Sequence, residues 1–125
     1  MDCDSACQRF MRIYRDRDII FEEGANGDEM YVVCSGRVKL FRAQANAEVE
    51  LAFVEPGQFF GEMALVDDSP RSAGARAAED QTKLIALDRD KFLFMVSHQP
   101  AFALTIMRAH CQVIRGFTGP RYNSD

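Results

Sequence analysis

Turn-forming residues recur about every eight to twelve residues between Met11 and Leu87, and short apolar runs lie between them. The runs "MYVVCSGRVKLFR" and "VELAFVEPG" are rich in β-branched and aromatic residues, and the second alternates apolar with other residues. We expect turns at Gly24 with Asn26-Gly27, Gly36, Ala45-Asn46, Pro56-Gly57, Ser69-Pro70 and Glu79-Asp80. This spacing predicts a mainly β fold, an antiparallel β-roll or jelly roll (double-stranded β-helix), over about residues 11–88.

The pattern changes to a helical one at Asp88. Apolar residues then recur at helical spacing, at Phe92, Met95, Val96, Phe102, Ile106, Ala109, Val113 and Phe117. Asp88 or Asp90 can cap the first helix, and Pro100 fits the first turn of the second. We predict two helices within about residues 89–117 and a polar tail over 118–125. A chain of 125 residues fits one domain, which we place at 1–117.

Charge and composition exclude several classes of protein. The net charge of −4 disfavours a broad basic surface for nucleic acid. No apolar run approaches the roughly eighteen residues needed to span a bilayer, and the first ten residues do not form a secretion signal. We therefore expect a cytoplasmic protein that neither binds DNA directly nor enters a membrane.

The four cysteines stand at positions 3, 7, 34 and 111, and they form no CxxC pair. His98 and His110 are too far apart in sequence to share one helical turn. We expect four unpaired thiols and no metal site. A metal or redox sensor built from these cysteines is the weaker alternative.

The stretch "FGEMALVDDSPRSAGARA", from Phe60 to Ala77, combines residues typical of an anion site. If a short helix begins at Gly61, its first free N–H groups, near Met63 and Ala64, point outward together. The planar guanidinium of Arg71 suits two phosphate oxygens at once. Glu62 would repel an anion unless it accepted a hydrogen bond, which a sugar hydroxyl can donate. One phosphodiester beside a sugar hydroxyl accounts for both charges.

Other chemistry finds little support in the sequence. A triphosphate would call for a Gly-x-x-x-x-Gly-Lys loop, and the chain has none. No Ser/His/Asp or Cys/His arrangement suggests nucleophilic catalysis. We therefore expect a binding protein and not an enzyme.

The stretch from Phe60 to Ala77 resembles the phosphate-binding cassette of the cyclic nucleotide-binding domain family. That family includes catabolite-activator-type regulators, cyclic-nucleotide-dependent kinases and gated channels. The upstream stretch "GANGDEMYVVCSG" is similar to the family's other glycine-spaced signature. The two motifs stand in the expected order and cover about Ile19 to Ala77.

The resemblance implies a set of ligand contacts. Glu62 would accept the ribose 2′-hydroxyl, and Arg71 would pair with the cyclic phosphate. Further contacts to the phosphate group are implied for Gly61, Met63, Ala64, Ser72 and Ala73. The base would lie against apolar side chains, for which the candidates are Val38, Leu40, Leu51 and Ala52. Candidates for its cover on the C-terminal helix are Met107, His110, Cys111 and Ile114.

The resemblance also implies the ligand and the output. Gly74 stands where cGMP-selective members resemble one another in having Thr or Ser, so cAMP is expected in preference to cGMP. The chain would be a stand-alone sensor domain, without other cofactors, whose C-terminal helix shifts when the ligand binds. That helix, over about 101–117, would also permit a homodimer. The alternative is an interaction or dimerisation module of the same fold, whose pocket holds no ligand or another small anion.

Overall fold

The computed structural model describes residues 10–66, 69–98 and 100–101. These residues form eight strands, one short 3-10 helix and one α-helix, α1. The strands are β1 (Met11–Tyr14), β2 (Ile19–Phe21), β3 (Met30–Ser35), β4 (Val38–Gln44), β5 (Ala47–Val54), β6 (Phe59–Phe60), β7 (Gly74–Ala77) and β8 (Thr82–Leu87). The 3-10 helix is Glu62–Leu65, and α1 is Arg89–His98.

The strands form two antiparallel sheets of four strands each. Their orders are β1-β8-β3-β6 and β2-β7-β4-β5. Most hydrogen-bonded neighbours in each sheet are distant in sequence. This is expected for a β-roll, in which the chain passes repeatedly from one sheet to the other. The mainly β prediction, an antiparallel β-roll followed by helix, is confirmed.

Several of the predicted turns contain residues with left-handed backbone conformation. Ala45 and Asn46 form the two-residue connection between β4 and β5, with φ of 52° and 67°. Both central residues of such a hairpin need positive φ so that the turn matches the twist of the strands. Gly36 and Gly57 also have left-handed φ, of 82° and 87°.

A register shift in the β4 and β5 pair produces a bulge. Leu40 pairs with Ala52, whereas Phe41 pairs with Glu50. Leu51 is therefore the extra residue on β5, and 45% of its surface is exposed. Bulges bend a strand and change the direction of a side chain, often beside a binding site.

The buried side chains form two clusters. One lies between the sheets and contains Val33, Val38 and Leu84, with Tyr31 and Phe60 at its edge. The other joins the β-roll to the helices and contains Met30, Ile85, Leu87, Leu65 and Met95. The second cluster makes the position of α1 depend on that of the 3-10 helix, because Leu65 and Met95 belong to the same packed group.

Helix α1 begins where the sequence predicts. The Asp88 carboxylate accepts a hydrogen bond from the Lys91 N–H at 2.8 Å, which is the N-cap arrangement. At the other end, the His98 ring stacks on Phe94 with centroids 3.9 Å apart. Its Nδ1 lies 3.0 Å from the Phe94 carbonyl oxygen, which fits an ordinary helix position for His98. Residues 100 and 101 are helical, and the rest of the predicted second helix and dimer segment, with the tail, lies outside the described residues.

One expectation about the cysteines is wrong. Cys34 is disulfide-bonded, so the four thiols are not all unpaired; its partner lies outside the described residues. Within the described ranges, no group of three or more His, Cys, Asp or Glu side chains is placed to hold a metal ion. No helix in that same part of the chain is long and apolar enough to cross a membrane.

Candidate functional site

The chain leaves β6 through a left-handed residue, Gly61, with φ 75° and ψ 15°. A residue with a side chain is strained in this conformation, so glycine allows the sharp change into the 3-10 helix. Leu65 at the end of that helix is buried, whereas 57% of the Met63 surface is exposed. The turn thus fixes one side of Glu62–Leu65 in the core and leaves the other side accessible.

The expectation of a free N–H at Ala64 is wrong. This N–H donates to the Gly61 carbonyl at 3.2 Å. A 3-10 turn closes its hydrogen bond with the carbonyl three residues back, so fewer amides remain free at its start than in an α-helix. The Ala64 amide is therefore already used within the turn.

The guanidinium of Arg71 lies directly beside this turn. Its Nη1 donates to the Gly61 carbonyl at 3.2 Å, and its Nη2 donates to the Glu29 carbonyl at 2.8 Å. Its Cζ lies 4.1 Å from the centre of the Phe21 ring. The Nε is buried and has no hydrogen-bond partner in the described part of the chain. No carboxylate there forms an ion pair with Arg71, so its positive charge is not neutralised by a side chain.

Glu62 is the second charged residue of the site. It is partly buried, and it follows the residue whose carbonyl contacts Arg71. None of the hydrogen bonds or ion pairs between described residues involves its carboxylate. The structure therefore places Arg71 against Gly61, the residue before Glu62, and leaves the Glu62 carboxylate able to accept a hydrogen bond.

The residues that follow Arg71 occupy different environments. Ser72 is exposed, and its carbonyl accepts a hydrogen bond from Arg42 Nε at 2.9 Å. Ala73 is partly buried. Arg42, on β4, is a cation at the edge of the site that sequence reasoning did not identify, because a strand arginine has no distinguishing pattern.

Gly74 has a packing explanation. A Cβ at this position would lie 2.5 Å from Cζ of the Phe41 ring, so any side chain would collide with that ring. The absence of a side chain at Gly74 thus follows from the position of Phe41. The expectation that the missing Thr or Ser hydroxyl favours cAMP over cGMP stays a prediction.

The apolar candidates divide into accessible and buried residues. Leu40 is partly buried and pairs with Ala52, which is exposed, and Leu51 is exposed in the bulge. These three side chains can contact a ligand. Val38 is completely buried between the sheets, with 0% exposure, so its assignment to the ligand wall is wrong.

A second group of polar contacts lies behind Arg71. The Glu29 carboxylate accepts hydrogen bonds from both Nη atoms of Arg12, at 3.1 and 2.7 Å, and from the Tyr31 hydroxyl at 3.1 Å. Burial, together with the nearby charge of Glu29, raises the pKa of Tyr31 to about 12. The hydrogen bond to Glu29 raises the pKa of Arg12 as well. The side chain of Glu29 is thereby fixed to two strands while its carbonyl contacts Arg71.

Helix α1 is joined to the 3-10 helix by a further arginine. Nε and Nη2 of Arg89 donate to the Leu65 carbonyl at 3.1 and 2.8 Å. This contact satisfies a carbonyl at the end of the short helix. It also ties the first turn of α1 to the segment that begins at Gly61.

The site and the fold agree with the family comparison. A model of the cyclic nucleotide-binding domain matches residues 11–99, and the chain belongs to that family. The cyclic AMP receptor protein of Thermus thermophilus is 41% identical over 104 residues, which are 82% of this chain and 48% of the receptor. The chain thus spans about half the length of that relative.

Solved structures show the same fold. The Thermus thermophilus catabolite activator protein superposes with a TM-score of 0.72 and 38% identity, over 89% of this chain and 53% of that chain. A second structure, described as part of a cyclic-GMP-dependent signalling pathway that regulates bacterial phytopathogenesis, has a TM-score of 0.67 and 35% identity. It covers 89% of this chain and 90% of its own.

Proposed function

We propose that this chain is a regulatory domain that binds a cyclic nucleotide, cAMP in preference to cGMP, and that it is not an enzyme. The observation that carries the proposal is the guanidinium of Arg71, which lies beside Gly61 and Glu62 with no carboxylate partner in the described ranges. A partly buried charge of this kind is best stabilised by an anion that brings its own charge into the site.

The phosphate group of the ligand would be held by Arg71. Two of its N–H groups are used by the Gly61 and Glu29 carbonyls, and the buried Nε–H is left to donate. A guanidinium has five N–H groups in one plane, so the remaining donors suit two phosphodiester oxygens. We assign further contacts to the amides of Met63 and Ala73 and to the Ser72 hydroxyl. The single negative charge of a cyclic phosphodiester matches the single positive charge of Arg71.

The ribose would be held by Glu62. A carboxylate beside a phosphate is unfavourable unless it accepts a hydrogen bond. The 2′-hydroxyl of a cyclic nucleotide supplies a donor next to the phosphodiester. This contact explains why the Glu62 carboxylate has no partner among the described residues.

The base would lie against Leu40, Leu51 and Ala52. All three side chains are apolar, and the exposed part of Leu51 is what a purine ring would cover. None of the three has a polar group to recognise the edge of guanine, so selectivity for cGMP has no source in this wall. The name of the Thermus relative, a cyclic AMP receptor protein, supports the same preference.

Regulation would pass through the 3-10 helix to α1. Leu65 packs in one cluster with Met95, and Arg89 donates two hydrogen bonds to the Leu65 carbonyl. A ligand that binds more tightly when Glu62–Leu65 closes on it shifts the population toward one position of α1. This mechanism requires only that the two states differ in ligand affinity.

Calorimetric titration with cAMP, cGMP and 5′-AMP tests the proposal. The ultraviolet spectrum of the purified protein is recorded first, and bound nucleotide is removed by unfolding and refolding. We expect saturable binding of cAMP, with cGMP weaker by about threefold or more, a difference of at least about 0.6 kcal/mol. Absence of binding by both cyclic nucleotides overturns the proposed function and favours the interaction module. Tighter binding of cGMP overturns only the preference.

A further inference from the structure

We propose that Gly27 and Phe21 are positioning residues, which hold the Arg71 guanidinium in the orientation that receives the phosphate. The inference rests on the proposed function, in which Arg71 binds a cyclic phosphodiester. Neither residue needs to touch the ligand. Each acts through the side chain of Arg71.

Gly27 provides the space in which the guanidinium lies. A Cβ on Gly27 would lie 2.5 Å from Nη2, 2.6 Å from Nε and 2.8 Å from Cζ of Arg71. Its backbone is not left-handed, unlike that of Gly24, where φ is 84° and a Cβ would meet nothing within 4 Å. Glycine is therefore required at Gly27 for the guanidinium and not for a turn. An alanine there would displace Arg71 without straining the backbone.

Phe21 covers the face of the same guanidinium. Its ring centre lies 4.1 Å from Cζ of Arg71, within the range of a cation–π contact. The ring itself is fixed, because it packs against Tyr31 and Phe60 with centroid distances of 5.8 and 5.9 Å. The Phe21 ring on one face and the Gly27 backbone beside it together limit the orientations open to the Arg71 guanidinium.

The main chain completes this cradle. The Arg71 N–H donates to the Ala25 carbonyl at 2.8 Å, and the Gly24 N–H donates to the Arg71 carbonyl at 2.8 Å. The Glu29 carbonyl accepts from Nη2, as described above. The loop from Gly24 to Glu29 thus holds both the backbone and the side chain of Arg71. An arginine that is already ordered loses less conformational entropy when it binds a phosphate.

The Gly27→Ala variant tests the steric part of the inference. We expect its affinity for cAMP to fall by about tenfold or more, because the displaced guanidinium no longer meets the phosphate. In an Arg71→Ala background the same substitution is expected to have no further effect, since its target is gone. The matched control is Asn26→Ala, an exposed neighbour in the same loop, which should bind as the wild type does. An equal loss from Gly27→Ala in both backgrounds indicates a folding defect and overturns the inference.

Phe21→Leu tests the aromatic part with little change in apolar volume. We expect a loss of about threefold to tenfold in cAMP affinity, again absent in the Arg71→Ala background. Far-ultraviolet circular dichroism verifies that each variant is folded. Unchanged affinity in the Phe21→Leu variant overturns the role of the ring.

Nitrogen-15 spectra of the arginine Nε–H groups give a readout that needs no ligand. The Arg71 signal is identified by its loss in Arg71→Ala. Its proton should be shifted by the Phe21 ring in the wild type, and the shift should disappear in Phe21→Leu and Gly27→Ala. If the signal does not move, the cradle is refuted whether or not a nucleotide binds. If the Arg71 signal moves in these variants but the wild type binds no cyclic nucleotide, the proposed function is wrong, while the positioning of Arg71 by Gly27 and Phe21 is supported.

Discussion

Arg71, before β7, and Arg76, within β7, have similar surroundings but different partners. Each guanidinium lies over a phenylalanine ring, that of Arg71 at 4.1 Å from Phe21 and that of Arg76 at 4.5 Å from Phe41. Each Nε is buried without a hydrogen-bond partner in the described part of the chain. Arg76, however, forms an ion pair with Glu48, whereas among the described residues Arg71 donates only to backbone carbonyls.

The difference separates a structural arginine from one available to a ligand. Glu48, on β5, also pairs with Lys39 at 2.7 Å, so one carboxylate serves both Lys39 and Arg76. Carbonyl oxygens orient a guanidinium without neutralising it. Arg71 therefore keeps the positive charge that an anionic ligand requires. The partners of a charged side chain are thus more informative than its burial.

The largest expected effect is that of removing each arginine in turn. Arg71→Ala should weaken cAMP binding by about tenfold to a hundredfold, the value of one desolvated, charge-assisted interaction. Arg76→Ala should leave the affinity unchanged, because its charge is already paired. Titration calorimetry measures both. A similar loss in the two variants would remove the distinction between them.

The carboxylates of Glu62 and Glu48 allow the same comparison, with smaller expected effects on cAMP affinity. Glu62→Ala should weaken cAMP binding by about fivefold to tenfold, because one hydrogen bond to the ribose is lost. Glu48→Ala, the matched control, should bind normally. The loss in Glu62→Ala should not add to the loss caused by using 2′-deoxy-cAMP with the wild type. Full additivity would show that Glu62 does not contact the 2′-hydroxyl.

The stability contributed by the hydrogen-bonded cluster of Arg12, Glu29 and Tyr31 should depend on pH in the alkaline range. Because the pKa of Tyr31 is raised to about 12, the folded state keeps the proton that the unfolded state releases near its ordinary value of 10.0. This contribution to stability is complete below about pH 10 and is lost as the pH rises toward 12. The free energy of unfolding, measured with urea, should fall for the wild type relative to Tyr31→Phe as the pH rises across this range. A difference that does not change with pH would contradict the assignment.

The smallest effect is expected at Glu48 under acidic conditions. Hydrogen bonds from Lys39 and Arg76 lower the pKa of Glu48 below its ordinary value of 4.5. The stability that this carboxylate contributes is present above that value and is lost as the pH falls through the lowered pKa. The unfolding free energies of wild type and Glu48→Gln should therefore converge on acidification. The effect is small because the group is exposed to solvent.

Local sequence patterns predicted the β-roll, several of its turns and the approach of Arg71 to the turn at Gly61. These features depend on turn chemistry and on neighbours in one stretch of chain. The errors concern contacts between distant segments. Val38 is buried because it packs in the cluster that joins the two sheets. No periodicity in one sequence reveals such contacts.

The positioning residues were missed for the same reason. Gly27 is part of the glycine-spaced signature in the sequence. That signature does not show that the lack of a side chain at Gly27 makes room for the Arg71 guanidinium. Phe21 had the properties of an ordinary strand residue. The predicted contacts of the C-terminal helix, from Met107 to Ile114, remain predictions.

The bulge at Leu51 makes this domain a practical scaffold for engineering. As the extra residue on β5, Leu51 belongs to neither the Leu40 and Ala52 pair nor the Phe41 and Glu50 pair, so the hydrogen-bonding register does not depend on its side chain. Polar or larger residues can be tried there at little cost to folding, since almost half of its surface is already exposed. Because the proposed binding mode sets the base against Leu51, a library at this single position is a way to alter the choice of base while Arg71 and its cradle are left intact.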